Sequence, residues 1–318
     1  MPCKKQSRND LTIVIPVYNE AESLPLFLPE LVQMCRTNRW QIILVNDGSK
    51  DESPRLLAKY GHDPLVRVLH HKVNRGYGGA LKTGIAAART TYVLTMDGDG
   101  QHQTSDLKPM LQFAIQNQAD LLIGSRSELP SVNWYRELGK WLIRSFTRIL
   151  VHLPIRDLNS GFKLYRTSLA RKYLPLCPNS MAFSDVITLL FINQGHLVLE
   201  RPIAVKDRIA GTSSISAYTA FETIIEILGL AMLVNPLRIF LSLSVICIVA
   251  GLAWGIPIML AGRGVSVGSM LAIVLGALFF FLGLIASQLA SIRLYLASAR
   301  DDELEIHDTL SEEPIPPK

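Results

Sequence analysis

Asp97 and Asp99 stand one residue apart where an apolar run stops, in the stretch Leu94-Thr95-Met96-Asp97-Gly98-Asp99-Gly100-Gln101-His102. Two carboxylates this close repel one another and are costly to bury unless a cation sits beside them. Oxygen-only ligands select a hard ion, Mg2+ or Mn2+, over zinc. Such an ion keeps several waters and bridges substrate phosphates. The neighbouring glycines let a bulky ligand approach the backbone. The stretch reads as a seat for a metal-bound diphosphate, and the substrate as a nucleotide. Its plain alternative is a turn with solvated carboxylates.

Residues of this kind must be positioned by rigid elements. Strand-like runs at 11–15, 41–45, 65–69, 92–96 and 120–123 alternate with helix-like patterns at 21–35, 52–60, 78–89 and 105–116. The alternation predicts an α/β fold, a mainly parallel sheet with helices on both faces. Ligands of such sheets bind at the C-terminal ends of the strands. Polar clusters fall at those ends: Ile15-Pro16-Val17-Tyr18-Asn19-Glu20 after the first, Val45-Asn46-Asp47-Gly48-Ser49 after the second, Asn74-Arg75-Gly76-Tyr77-Gly78-Gly79-Ala80 after the third. Each alone could be a turn. Four in register, with the aspartate pair, imply one shared crevice.

The remainder of the 318-residue chain is of another kind. Hydrophobic residues make up 49% and the net charge is +5; mean hydropathy is +0.25. From 239 to 292 the only charge is Arg263. Residues 239–261 and 264–292 are each long enough to span a bilayer, and Gly262-Arg263-Gly264 makes them a hairpin. Arg238, Arg293 and Arg300 flank the pair, which places both termini in the cytoplasm by the positive-inside rule. The expected organisation is a basic tail at 1–10, a catalytic domain at 11–215, a juxtamembrane helix at 216–236, two transmembrane helices at 237–297 and a flexible acidic tail at 298–318. The N-terminus does not read as a signal peptide. The four cysteines are scattered, with no CxxC pair, which argues against a disulfide framework or zinc site and fits a reducing compartment. Arg136, Lys140, Arg144 and Arg148 recur every four residues. They form one basic stripe on a helix that also carries Trp134 and Trp141, suited to an anionic membrane surface.

Taken in order, these motifs, with Gly124-Ser125-Arg126 and Asp157-Leu158-Asn159-Ser160-Gly161-Phe162, resemble the family 2 glycosyltransferases of GT-A fold. Within that family the chain is similar to the polyprenyl-phosphate glycosyltransferases, including the dolichol-phosphate mannose synthases. The resemblance covers about residues 11–215. It implies inverting transfer of a sugar from a nucleotide diphosphate sugar, GDP-mannose slightly ahead of UDP-glucose or UDP-N-acetylglucosamine, to a dolichyl or undecaprenyl phosphate. It implies Asp97, Asp99 and Gln101 as metal ligands. It implies Pro16, Tyr18, Glu20, Asp47, Gly76, Asp97, Gln101 and Arg208 on the donor, with Glu20 and Asp47 holding the base and ribose. Arg126, Arg136 and Ser160 fall to the acceptor phosphate, and Asp99, Asp157 and Arg208 to catalysis, Asp157 as a base or as a loop-holding residue. His102 is kept without a chemical role. The family often reads D-A-D-L-Q-H; glycine at 98 and 100 is expected to loosen this loop. Ile215 stands where a lysine is usual in the loop of Arg208. Partners are the donor, the lipid acceptor and the membrane, with homo-oligomers open and nucleic acid not expected. The other readings are a glycosyltransferase with a different acceptor, or a membrane-anchored nucleotide-sugar binding protein without turnover.

Overall fold

A computed structural model describes residues 10–126, 155, 157–158, 160–204, 232 and 236–311. Arg136, Arg208, Asn159, the basic stripe, the N-terminal tail and nearly all of the juxtamembrane segment lie outside the described residues. The chain divides into two units; the described parts are a sheet with its helices and a pair of long C-terminal helices.

The first unit begins with β1 (Leu11–Val17), whose side chains are almost all buried. A parallel strand covered on both faces reads as a continuous apolar run rather than an alternating one. It is followed by α1 (Leu24–Asn38), β2 (Gln41–Asn46), α2 (Ser53–Ala58), β3 (Val66–His70), α3 (Tyr77–Ala87), β4 (Tyr92–Thr95), α4 (Leu107–Gln116) and β5 (Leu121–Arg126). In α1 the buried Leu24, Phe27, Leu28, Leu31, Val32 and Cys35 keep the helical spacing that lays one face on the sheet. After the undescribed stretch come β6 (Lys163–Arg166), α5 (Thr167–Tyr173), α6 (Phe183–Asn193) and β7 (Val198–Ile203).

The strands run in the order β3-β2-β1-β4-β6-β5-β7. Pairing is parallel except for β6, which is antiparallel to both β4 and β5. Strand order reverses beside β1, with β2 on one side and β4 on the other. A crevice opens at such a switch point. Reversed β6 pairs Lys163 with Thr95. Its beginning therefore lies at the end of β4, and the loop before it arrives beside Asp97. Cys35 and Cys177 are buried free thiols, each pushed up to about 12 by burial.

The second unit holds α7 (Pro236–Leu260) and α8 (Val267–Ser311). Both contain a stretch long and apolar enough to cross a membrane, Pro236–Leu260 and Val267–Arg293. They pack antiparallel through small residues. A Cβ on Gly251 would strike Ile273, one on Gly276 would strike Ile248, and one on Gly283 would strike Phe240. Close backbone approach of this kind is how helices gain contact where lipid removes the hydrophobic drive. Helix α8 runs on to Ser311, into the segment expected to be a flexible tail from 298.

Candidate active site

A cleft of about 330 Å3 opens at the C-terminal ends of β1, β2 and β4. Pro16, Tyr18, Glu20, Asp47, Asp97 and Asp99 all line it, as do Tyr77, Met181 and Ser184. Sequence reasoning did not single out the last three. Tyr77 lies inside a quoted motif and could have been read from it. Met181 and Ser184 come from the α6 region, which carries no motif signal. Gly76 and Gln101 do not line the cleft but brace residues that do.

Asp47 is only 2% exposed. Its carboxylate accepts the backbone N–H of Arg75 and of Gly76, each at 2.9 Å, and contacts His71 Nδ1 at 2.6 Å. His71 Nε2 lies 2.9 Å from the Thr83 hydroxyl. Asp47 thus fixes the loop that starts α3, and Gly76 serves through its amide. On the β1 side, the Glu20 amide donates to Ser53 Oγ. The Ser23 hydroxyl lies within reach of both Glu20 Oε2 (2.6 Å) and the Gly98 carbonyl (2.8 Å), tying Glu20 to the aspartate loop.

Tyr77 donates its hydroxyl to Asp97 Oδ1 at 2.8 Å. His102, buried and tilted against Phe162, places Nε2 3.6 Å from Asp97 Oδ2. Burial would raise the Asp97 carboxyl, but His102, Tyr77 and the charge of Arg126 together hold it below its ordinary value. A Cβ on Gly161 would run into both Asp97 carboxylate oxygens, so glycine is required there. Asp99 Oδ1 accepts the amide of Gln101 at 3.1 Å. The glycines between these residues are not slack, contrary to expectation. A Cβ on Gly98 would lie 2.9 Å from the Pro16 carbonyl, and Gly100 has φ +74°, where leucine would be strained.

The donor set fits a hard divalent ion. Asp97 and Asp99 offer oxygen from one cleft wall. Among the described residues no group of three His, Cys, Asp or Glu could hold a metal by itself. An incomplete protein shell suits Mg2+ or Mn2+, which share their sphere with water and phosphate.

Beside the cleft, near enough for the Arg126 charge to act on Asp97, Arg126 and Asp157 meet in a two-pronged ion pair, Nε to Oδ2 at 2.9 Å and Nη2 to Oδ1 at 3.1 Å. The Arg126 amide also donates to Oδ2. Burial pushes the Asp157 carboxyl up, and Arg126 more than offsets it, so the group sits below its ordinary value. That is the opposite of what a general base near neutrality needs. The pairing matches the loop-holding role for Asp157. Ser160 is corrected: it is 1% exposed, and its hydroxyl donates to the Gly124 carbonyl at 2.7 Å. Its oxygen accepts the Phe162 amide, so it shapes the turn rather than facing an acceptor phosphate.

This sheet, with an aspartate pair in the cleft at its switch point, is that of a glycosyltransferase of the GT-A class. The model of glycosyl transferase family 2 matches residues 12–174, half of the chain, and the chain belongs to that family. A second model, the GtrB C-terminal hairpin, matches residues 235–292 and corresponds to α7 and the apolar part of α8. It marks the protein as membrane-anchored. Among the most similar relatives is an undecaprenyl-phosphate mannosyltransferase of Micrococcus luteus, 32% identical over 72% of this chain and 98% of its own. Another is an undecaprenyl-phosphate 4-deoxy-4-formamido-L-arabinose transferase of Pectobacterium carotovorum, 26% identical over 89% of each chain. A glucosyl-3-phosphoglycerate synthase from Mycobacterium tuberculosis, solved with Mn2+, UDP-glucose and phosphoglyceric acid, shares the fold. Its TM-score is 0.56 at 16% identity, over 70% of this chain and 79% of that one.

Proposed function

We propose that this enzyme moves a sugar from a nucleoside diphosphate sugar to the phosphate of a polyprenol at the membrane surface. One observation carries the reading: the Asp97–Asp99 pair faces Asp47 across one cleft, on a chain that also carries an apolar hairpin. The names of the two relatives support the lipid phosphate acceptor.

Asp47 and Glu20 hold the base and ribose. Asp97 and Asp99 would hold Mg2+ or Mn2+, with Gln101 bracing Asp99 through its backbone amide. When bound, the ion supplies positive charge against the developing charge of the departing diphosphate. Arg208 is assigned to that same diphosphate. Arg126 and Arg136 are assigned to the acceptor phosphate. A phosphate monoester has its second pKa near about 6, so the acceptor is mostly dianionic at neutral pH and needs no base. The depressed Asp157 carboxyl supports this view. A lipid-hydroxyl acceptor would need a base that Asp157, engaged by Arg126, is poorly placed to be.

GDP-mannose is the first donor to test, then UDP-glucose and UDP-N-acetylglucosamine. Labelled donor is incubated with purified protein in detergent, with and without polyprenyl phosphate, and with EDTA. Lipid-linked label should require both acceptor and metal. Transfer to water alone, or full activity in EDTA, would sink the reading. Both termini are assigned to the cytoplasmic side. A cysteine placed at Gly264 should then react only from the opposite side, and cytoplasmic labelling there would reverse the orientation.

A further inference from the structure

Lys163 opens β6 and is 0% exposed. No other lysine or arginine among the described residues is buried. Its ammonium has three protons and three acceptors: the Leu158 carbonyl at 2.6 Å, the Ser184 carbonyl at 2.6 Å and Thr188 Oγ1 at 2.9 Å. Taking an ammonium out of water costs several kcal/mol even after relaxation, and an apolar residue at a strand position would avoid that cost. Fold stability alone therefore does not call for a lysine here.

What the ammonium joins is specific. Leu158 lies in the loop that carries Asp157 and Gly161. Ser184 lines the cleft, and Thr188 sits one turn further along α6. The same loop is tied to β4 by the Thr95 hydroxyl, which donates to the Gly161 carbonyl at 2.9 Å. Gly161 in turn backs the Asp97 carboxylate.

We propose that Lys163 is a positioning residue, whose buried ammonium pins the 157–161 loop to α6 and so keeps the Arg126–Asp157 pair in register with Asp97. The inference rests on the reading above insofar as it gives Arg126 to the acceptor. Burial pushes the ammonium down to about 8, with Asp185, Asp157 and Asp97 opposing that fall and Arg126 adding to it. The group still carries its charge at neutral pH.

Lys163→Met keeps the length and removes the charge; Thr188→Val removes one acceptor and keeps the shape. Both are compared with wild type by hydrogen exchange, donor calorimetry and transfer kinetics in detergent. Amides of 157–162 should exchange faster in both variants, with β1 and β2 unchanged. Turnover should fall about ten- to a hundred-fold in Lys163→Met, the worth of one charged hydrogen bond. It should fall about three-fold in Thr188→Val, nearer a neutral bond. Donor affinity should stay within about two-fold of wild type, since Asp47 and Glu20, assigned to the base and ribose, are held by β1, β2 and the loop before α3. Unchanged exchange at 157–162 would overturn the proposal, as would donor affinity falling in step with turnover. If Lys163→Met does not fold, Thr188→Val decides by the same readouts. If wild type transfers nothing to polyprenyl phosphate, the acceptor reading fails, while exchange and calorimetry still judge the pin.

Discussion

Asp47 and Asp157 are both carboxylates that close a loop at the sheet's C-terminal edge, yet they are held by different kinds of donor. Asp47 is buried and bound by two backbone amides and a buried imidazole. Asp157 is bound mainly by the Arg126 side chain, itself 49% exposed. Backbone amides cannot change partner without moving the chain. An exposed guanidinium can exchange one oxyanion for another, and phosphate fits its fork as well as carboxylate does. The donor wall is thus set before substrate arrives, whereas the proposed acceptor wall carries a partner that a phosphate can replace.

The largest expected effect lies at the proposed metal seat. Asp99→Ala should cut turnover by about a thousand-fold while circular dichroism stays native. Retained activity would remove the metal from the comparison. Asp47→Asn comes next. Its amide nitrogen cannot accept the Gly76 N–H, so donor affinity should fall about ten- to a hundred-fold and the thermal midpoint should drop. Calorimetry and thermal unfolding read both; loss of only one would mean that Asp47 serves the loop or the nucleotide but not both. Arg126→Gln should raise the acceptor KM about ten-fold and leave donor affinity unchanged. An equal loss on both substrates would erase the division between walls.

The smallest effect concerns pH. Arg126 keeps the folded Asp157 carboxyl below its ordinary value. The pair's stabilisation is therefore present above the ordinary carboxylate range and is lost as pH falls through the lowered value. Since Arg126 is half exposed, screening limits the gain to about 1 kcal/mol or less. The gap in thermal midpoint between wild type and Arg126→Gln should be widest near neutrality and close in acid. A gap that widens in acid would mean the pair is not what holds the loop.

The cleft at the ends of β1, β2 and β4 was largely legible in the sequence because its residues follow apolar strands directly. Pro16, Tyr18, Glu20, Asp47, Asp97 and Asp99 all line the cleft that the motifs imply. Strand β6 was not legible. It is four residues long, begins with a lysine and runs against its neighbours, so neither apolar continuity nor the strand–helix alternation marks it. Lys163 is its most consequential residue and looks like an exposed charge until the register places it inside. Ser160 was misjudged because a motif shows which residues recur together but not which of them turn inward. The glycines at 98 and 100 were misjudged because slack and fit look alike without φ and neighbours.

The Arg126–Asp157 contact also joins the two ends of residues 127–156. Arg126 closes β5, and Asp157 begins the loop into β6. The intervening chain therefore leaves and re-enters the sheet at one spot. For a flexible segment whose ends are already fastened, doubling its length adds only about 0.6 kcal/mol of closure entropy, so the cost of lengthening 127–156 falls little on the sheet. Insertions in 127–156 away from Arg136 should therefore be tolerated by the sheet and the cleft.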